Sequence, residues 1–396
     1  KAGDGIPYDG NLFIPHFILP KHLLKNTLVV NFENEKLGNL FKAKLTLVFR
    51  NSLKIDGLKF DLLEENFPIS HFQNPKLTTT KNTVMKACSF LPAATQMIYD
   101  MGLQHLLYGV TFECPSPALQ EKPKIVRCIM EDKNYSSAEI DKIFSASKAQ
   151  GKSLYYVEEE LLQQVQPDII FTQDTCSICQ IDTKCTAASV AKLKKQPQVI
   201  ALTPNSLQDV YQTAVTIATA LGHEEAAYAY LSSLQKRTVA ILDTLRHHQA
   251  PLKRVMLIEW IEPIYNCGHW IPFQVAQAGG IDMLSNPSGD STITSWDKII
   301  KYNPEVLIIA PCGFHTERAK EEIHLLVQKQ GWREMEAVQS NQVYICDFDL
   351  FTQPAASTLV DGIEMLAALF HRDLFAVPVH LEKKCFNYLS NPVAHV

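Results

Sequence analysis

The sequence predicts an α/β protein: two Rossmann-like lobes with mostly parallel sheets, joined by a long helix and preceded by a β-rich N-terminal extension. Three observations predict it. From Val84 onward, short apolar runs alternate with stretches of helical period, the pattern of a parallel sheet covered by helices. A signature of helix end, polar residue, proline, acid and apolar strand occurs twice, as Val165-Gln166-Pro167-Asp168-Ile169-Ile170 and as Tyr302-Asn303-Pro304-Glu305-Val306-Leu307. Between the two copies one helical pattern runs over 206–247, interrupted only at Gly222, and reads as a strut between similar lobes.

Composition narrows the function classes. The 396 residues suit two or three folded units, and 46% hydrophobic with 20% charged residues excludes a disordered, collagenous or coiled-coil chain. No apolar run reaches eighteen residues, so no transmembrane helix is expected. With 37 basic against 42 acidic side chains and a net charge of -5, nucleic acid is a poor partner. The opening Lys1-Ala2-Gly3-Asp4 carries no apolar leader, so an export signal is absent or already removed.

The elements follow in order. Residues 1–82 form the β-rich unit: alternating apolar and polar residues predict strands over 28–32, 43–49 and 58–62, and a polar stretch over 73–82 is the linker. The N-lobe, 83–205, begins with a strand over 84–88; Ser89 then caps a helix that Gly102 stops. A strand over 107–110 follows, then a helix to about 150 opened by the capping box of Ser136 and Glu139, a helix over 155–166 closed by Pro167, and strands over 168–172 and 199–202. The connecting helix occupies 206–249. The C-lobe, 250–375, repeats the scheme with strands over 254–258, 306–310 and 343–346 and helices over 273–278, 296–302, 317–328 and 357–370. Residues 376–396 are a tail.

In open α/β sheets, ligands bind beyond the carboxyl ends of the strands. Those positions carry Ser89-Phe90-Leu91, Thr111-Phe112-Glu113-Cys114, Gln173-Asp174-Thr175-Cys176, Glu259-Trp260, Pro311-Cys312-Gly313-Phe314 and Asp347-Phe348-Asp349-Leu350-Phe351, with Cys267-Gly268-His269-Trp270 beside them. Aromatics and amide-matching groups from both halves suit a large, flat, partly apolar ligand, although aromatics are also ordinary core residues and about half of these fit that role. The candidate ligand-binding residues are Phe90, Phe112, Glu113, Gln173, Asp174, Trp260, His269, Trp270, Phe314, Asp349 and Phe351. His269 can hydrogen-bond a ligand, reach a metal centre or simply pack.

Signatures of hydrolases, zinc proteases and nucleotide-binding loops are missing, so no catalytic residue is assigned. Cys176-Ser177-Ile178-Cys179, with Cys185 beyond, is open to three readings: structural, a redox pair, or half a metal site. Several of the ten cysteines, Cys88, Cys312 and Cys346 among them, read as small buried hydrophobes, which leans towards a reducing compartment and leaves a cytoplasmic location open.

Over about 84–375 the chain resembles the cobalamin-binding, BtuF-like branch of the type III periplasmic binding proteins. The resemblance rests on Ser89-Phe90-Leu91-Pro92-Ala93-Ala94-Thr95, Gly109-Val110-Thr111-Phe112-Glu113-Cys114, Gln173-Asp174-Thr175-Cys176-Ser177-Ile178-Cys179, Gly268-His269-Trp270-Ile271-Pro272, Ala310-Pro311-Cys312-Gly313-Phe314 and Leu359-Val360-Asp361-Gly362. It implies capture of cobalamin or a related corrinoid between the lobes by a non-enzymatic monomer, delivery to an ABC importer permease, and a periplasmic or otherwise extracytoplasmic location. Three departures stand out: residues 1–82 lie outside the resemblance, Leu350-Phe351-Thr352-Gln353-Pro354 stands where cobalamin carriers often place an aromatic and an arginine, and the many cysteines are unlike a typical periplasmic carrier. The alternative is a metal-, haem- or siderophore-handling protein, or a redox enzyme, using the CxxC and His269.

Overall fold

The computed structural model describes residues 85–150, 152–173 and 183–390. The β-rich unit expected over 1–82, Asp174 and the Cys176/Cys179 motif lie outside them.

The N-lobe comprises β1 (Ala87–Ser89), α1 (Pro92–Asp100), β2 (Leu107–Thr111), α2 (Ser116–Glu121), β3 (Lys124–Cys128), α3 (Ser137–Ala149), β4 (Tyr155–Val157), α4 (Glu159–Val165), β5 (Ile169–Thr172), α5 (Thr183–Val190) and β6 (Gln198–Ala201). Its sheet has the order β4-β3-β2-β1-β5-β6, parallel except for β4, which runs antiparallel to β3. The central β1 and β5 are buried along their whole length, as strands covered on both faces must be.

Local chemistry sets the boundaries. The expected capping box opens α3: Glu139 Oε2 accepts from the Ser136 amide and hydroxyl, both at 2.8 Å. Ser89 does not cap α1; its hydroxyl donates to the Leu91 carbonyl at 2.8 Å, and Pro92 begins the helix, where a missing N–H costs nothing. The helix expected over 155–166 is a strand followed by a shorter helix, because Tyr155 and Val157 turn inward and pair with β3. β3 itself was not anticipated, since lysine and arginine interrupt its apolar run.

The expected single strut is two helices, α6 (Leu207–Ala220) and α7 (Glu224–His247). Gly222 has φ +77; the His223 amide donates to the Ala218 carbonyl at 2.8 Å and the Gly222 amide to Thr219 at 3.0 Å. This pair of bonds terminates a helix, and glycine takes the left-handed position without a steric penalty. The two helices then pack against each other.

The C-lobe contains β7 (Lys253–Trp260), β8 (Tyr265–Asn266), β9 (Gly268–His269), α8 (Ile271–Gln277), β10 (Gly280–Ile281), β11 (Asn286–Pro287), α9 (Trp296–Tyr302), β12 (Val306–Ile309), α10 (Thr316–Glu322), α11 (His324–Val327), α12 (Glu336–Gln339), β13 (Val343–Cys346), α13 (Ala356–Phe370) and β14 (Cys385–Asn387). The sheet order is β10-β7-β12-β13-β14, with β8 also on β7. β10, β7, β12 and β13 are parallel, whereas β8 and β14 are antiparallel. Residues 376–390, expected as part of a tail, fold back and complete this sheet.

The internal repeat extends to hydrogen bonds. Gln166 and Asn303 end their helices in the left-handed region, at φ 48 and φ 51. Each is followed by Pro and an acid whose carboxylate accepts from the backbone of the first strand: Lys86 N to Asp168 at 2.8 Å, Arg254 N to Glu305 at 2.9 Å. The same junction thus ties β1 to β5 in one lobe and β7 to β12 in the other.

One apolar core crosses the molecule, from Leu91, Met97 and Phe171 through Ile217 and Leu245 to Val255, Trp270 and Phe351. Smaller clusters fill the far side of each sheet. Polar bonds reinforce the shared core: Tyr230 of α7 and Ser357 of α13 both donate hydroxyls to the Asp100 carboxylate of α1, at 2.9 and 2.5 Å.

Candidate functional site

The expected residues divide sharply by burial. Phe90, Phe314 and Phe351 are 1%, 5% and 0% exposed, and Trp270 is 8% exposed. Phe90 packs with Cys88 and Ile125 in the N-lobe, Phe314 with Trp332 and Met335 in the C-lobe, and Phe351 and Trp270 in the shared core. These four were expected as ligand-binding residues; the structure encloses them in apolar clusters, which removes their rings from water.

Phe112 and Trp260 are half-buried and stand at the carboxyl ends of β2 and β7. Phe112 leans on Tyr155 with ring centroids 6.3 Å apart. Trp260 rests on Phe314 at 5.2 Å, and its indole donates to the Glu262 carbonyl at 3.1 Å. Each is fixed from behind and retains partly accessible surface. Gln173 is half-buried just past β5.

Two carboxyls flank these rings. Glu113 is exposed at the end of β2, and desolvation by the protein around its carboxyl, then the nearby Glu131 carboxylate, raises it to about 7. Glu259, at the end of β7, is likewise held at about 7 by desolvation, against the opposing effect of hydrogen bonds from Ser291 Oγ, at 2.5 Å, and the Gly268 amide. Near neutrality both groups can act as neutral donors or as acceptors.

His269 adopts φ +52, uncommon for a residue with a side chain. Its amide donates to Gly289 O at 2.7 Å, and its ring stacks on Trp270 with centroids 5.3 Å apart. Nδ1 is buried with no partner among the described residues, and Nε2 lies 3.9 Å from Asp290 Oδ1. Burial lowers the His269 pKa, with Asp290 opposing, so the ring is neutral at pH 7. Asp349 is held by an ion pair with Lys384.

Sequence reasoning placed Glu259 at a strand end without choosing it as a ligand-binding residue, and it missed Ser291 and a contact between the lobes. Arg318 Nη2 donates to the Tyr135 carbonyl and to Glu322 Oε1, both at 2.6 Å, and the Ser137 amide donates to the same oxygen at 2.8 Å. Beside it, Ile140 of α3 packs on the C-lobe cluster that includes Phe314 and Trp260. The i,i+4 spacing of Arg318 and Glu322 was the available signal, but it reads as an ordinary helix pair. Elsewhere, Asp361, Glu364 and His380 gather potential ligand atoms within 4.8 Å. Arg237 already pairs with both carboxylates, which makes this an ion-pair network.

The site therefore combines half-buried aromatic surface, two proton-bearing carboxyls and a neutral imidazole at the strand ends of two similar lobes. A family model described as periplasmic binding protein matches residues 117–350. The uncharacterized ABC transporter substrate-binding lipoprotein YvrC of Bacillus subtilis (strain 168) is 22% identical over 308 residues, covering 75% of this chain and 83% of its own. A periplasmic binding protein from Veillonella parvula dsm 2008 superposes with a TM-score of 0.55 at 18% identity, over 74% of this chain and 93% of that one. A periplasmic heme binding protein from Pseudomonas aeruginosa does so with a TM-score of 0.56 at 16% identity, over 75% and 96%. These likenesses carry the two-lobed fold, and the family match spans more than half of the sequence: the chain belongs to the periplasmic binding protein family.

Proposed function

We propose that the protein is the substrate-binding component of an ABC importer and captures cobalamin or a related corrinoid between its lobes, without catalysis. The observation that carries this reading is that an aromatic and a carboxyl stand together at the end of a strand in each lobe, Phe112 and Glu113 after β2 and Trp260 and Glu259 at the end of β7. A corrin ring has broad apolar faces fringed by amides, and it calls for flat surfaces flanked by groups that both donate and accept. Gln173, Asp174, His269 and Asp349 extend the polar set. Phe90, Trp270, Phe314 and Phe351 support it from within the lobes. The names of the relatives favour an extracytoplasmic setting with a permease as partner, and the charge balance speaks against nucleic acid.

A haem is the second reading, and one observation favours it: His269 is neutral and partly exposed, the state in which an imidazole ligates iron. Calorimetric titrations with cyanocobalamin, cobinamide, haemin and a ferric hydroxamate separate the two. Saturable binding of a corrinoid with a Kd of about 1 µM or tighter is expected. Binding of haemin alone, with a Soret shift lost in His269→Ala, establishes the second reading; binding of none sinks both.

A further inference from the structure

The last strand of the C-lobe brings two thiols together. Cys346 on β13 and Cys385 on β14 are direct antiparallel partners, and their sulfurs are 3.1 Å apart. The adjacent pair is hydrogen-bonded, Asp347 N donating to Lys384 O at 2.8 Å, as is Tyr388 N to Val343 O at 3.0 Å. Counting residues from these bonds makes Cys346 and Cys385 a non-hydrogen-bonded pair, in which side chains approach most closely and the Cα separation falls within the span of a disulfide.

Access is one-sided. Cys346 is fully buried, while Cys385 is half-buried beside a surface groove of about 240 Å³ lined by Tyr344, Leu369, Val377, Glu382, Cys385 and Asn387. The location matters because β14 is an edge strand added after α13, and the residue before it, Lys384, holds Asp349 at the carboxyl end of β13.

We propose that Cys346 and Cys385 are a modification site that closes to a cross-strand disulfide, fastening β14 and the Asp349 turn to the C-lobe sheet. The oxidant is a small-molecule disulfide or a thiol–disulfide oxidoreductase. The Cys385 thiolate attacks the oxidant's S–S bond through the groove, forming a mixed disulfide and releasing one thiolate. The Cys346 sulfur, having lost its proton, then attacks Cys385 Sγ and displaces the second thiolate. Two protons and two electrons leave the protein, and the oxidant is reduced to two thiols. Burial pushes the Cys346 thiol well above its ordinary value, which assigns the first attack to the accessible Cys385.

The test incubates the full chain with oxidised glutathione, blocks free thiols under denaturing conditions and maps peptides by mass spectrometry. A peptide linking Cys346 to Cys385, absent after dithiothreitol, is expected, with a melting temperature higher by on the order of 5 °C in the oxidised form. Cys346→Ser should leave glutathione attached to Cys385. The inference is overturned if the wild type keeps both thiols free, stops at a glutathione adduct on Cys385, or links either cysteine elsewhere.

Discussion

The indole nitrogen of Trp270 donates to the carbonyl oxygen of Phe351 at 2.6 Å. This bond ties the start of α8 to the turn after β13, and the neighbouring Gln274 repeats the tie by donating to the Leu350 and Leu359 carbonyls at 2.9 and 2.8 Å. Trp270 therefore acts on the site by holding the β13 turn in place. Trp270→Ala should lower unfolding free energy by about 3 to 5 kcal/mol through cavity formation and the lost bond. Trp270→Phe, which keeps most of the packing, should cost about 1 to 2 kcal/mol and leave corrinoid affinity within threefold. Urea unfolding with titrations on folded protein checks both; a stable Trp270→Phe protein with tenfold weaker binding would instead place the indole at the ligand.

The lobes should move little on ligand capture. The continuity of the helix over 206–247 fails as a reason, since Gly222 breaks it. The shared core and the Asp100 contacts with Tyr230 and Ser357 supply another: opening must separate packed apolar surface and break these surface hydrogen bonds together. Small-angle scattering should give radii of gyration that agree within about 1 Å with and without a bound ligand. A contraction of several ångströms would contradict this.

Much of the fold was legible in the sequence because its signals are local. Pro167 and Pro304 fix helix ends, the Ser136 and Glu139 spacing fixes a helix start, and uninterrupted apolar runs such as Val306-Leu307-Ile308-Ile309 fix buried strands. β3 and β4 escaped because lysine and arginine interrupt the apolar run of β3 and tyrosines disguise the edge strand β4. The site was less legible. An aromatic that follows a strand can turn into the core or toward the opening, and the choice depends on what lies beneath: Phe314 is buried against Trp332 and Met335, whereas Phe112 packs on Tyr155 and the N-lobe cluster and stays half-buried. The adjacency of Cys346 and Cys385 needed the register of β14, which no periodic pattern announced.

The contact between α3 and α10 should hold the lobes together on one side. Glu322 is 5% exposed, and Arg318 compensates its charge. Removing the guanidinium leaves a buried carboxylate with only the Ser137 amide, a situation that typically costs about 3 to 5 kcal/mol; here part of it can be relieved by α3 moving away. Arg318→Ala should therefore speed hydrogen exchange of the amides over 137–140 by at least about tenfold, while Arg318→Ala combined with Glu322→Gln should recover part of the protection. Unchanged exchange in the single variant would mean that the contact is incidental.

Glu113 and Glu259 should give the protein an unusual pH response, most cleanly tested at Glu259. Its carboxyl titrates at about 7 in the folded chain against an ordinary 4.5, so between those values the folded state carries a proton that the unfolded state has lost. Stability contributed at this position must then fall as pH rises from 4.5 to 7, opposite to paired acids such as Asp168 and Asp347, whose values are lowered. Glu259→Gln keeps the shape, remains neutral, and can still accept from Ser291. It should be more stable than the wild type at pH 8 by on the order of 1 kcal/mol, once solvent screening of a half-buried group is allowed for, and the gap should shrink towards zero at pH 4.5. Urea midpoints for both proteins at the two pH values decide the matter: a difference independent of pH would show that burial does not raise this carboxyl.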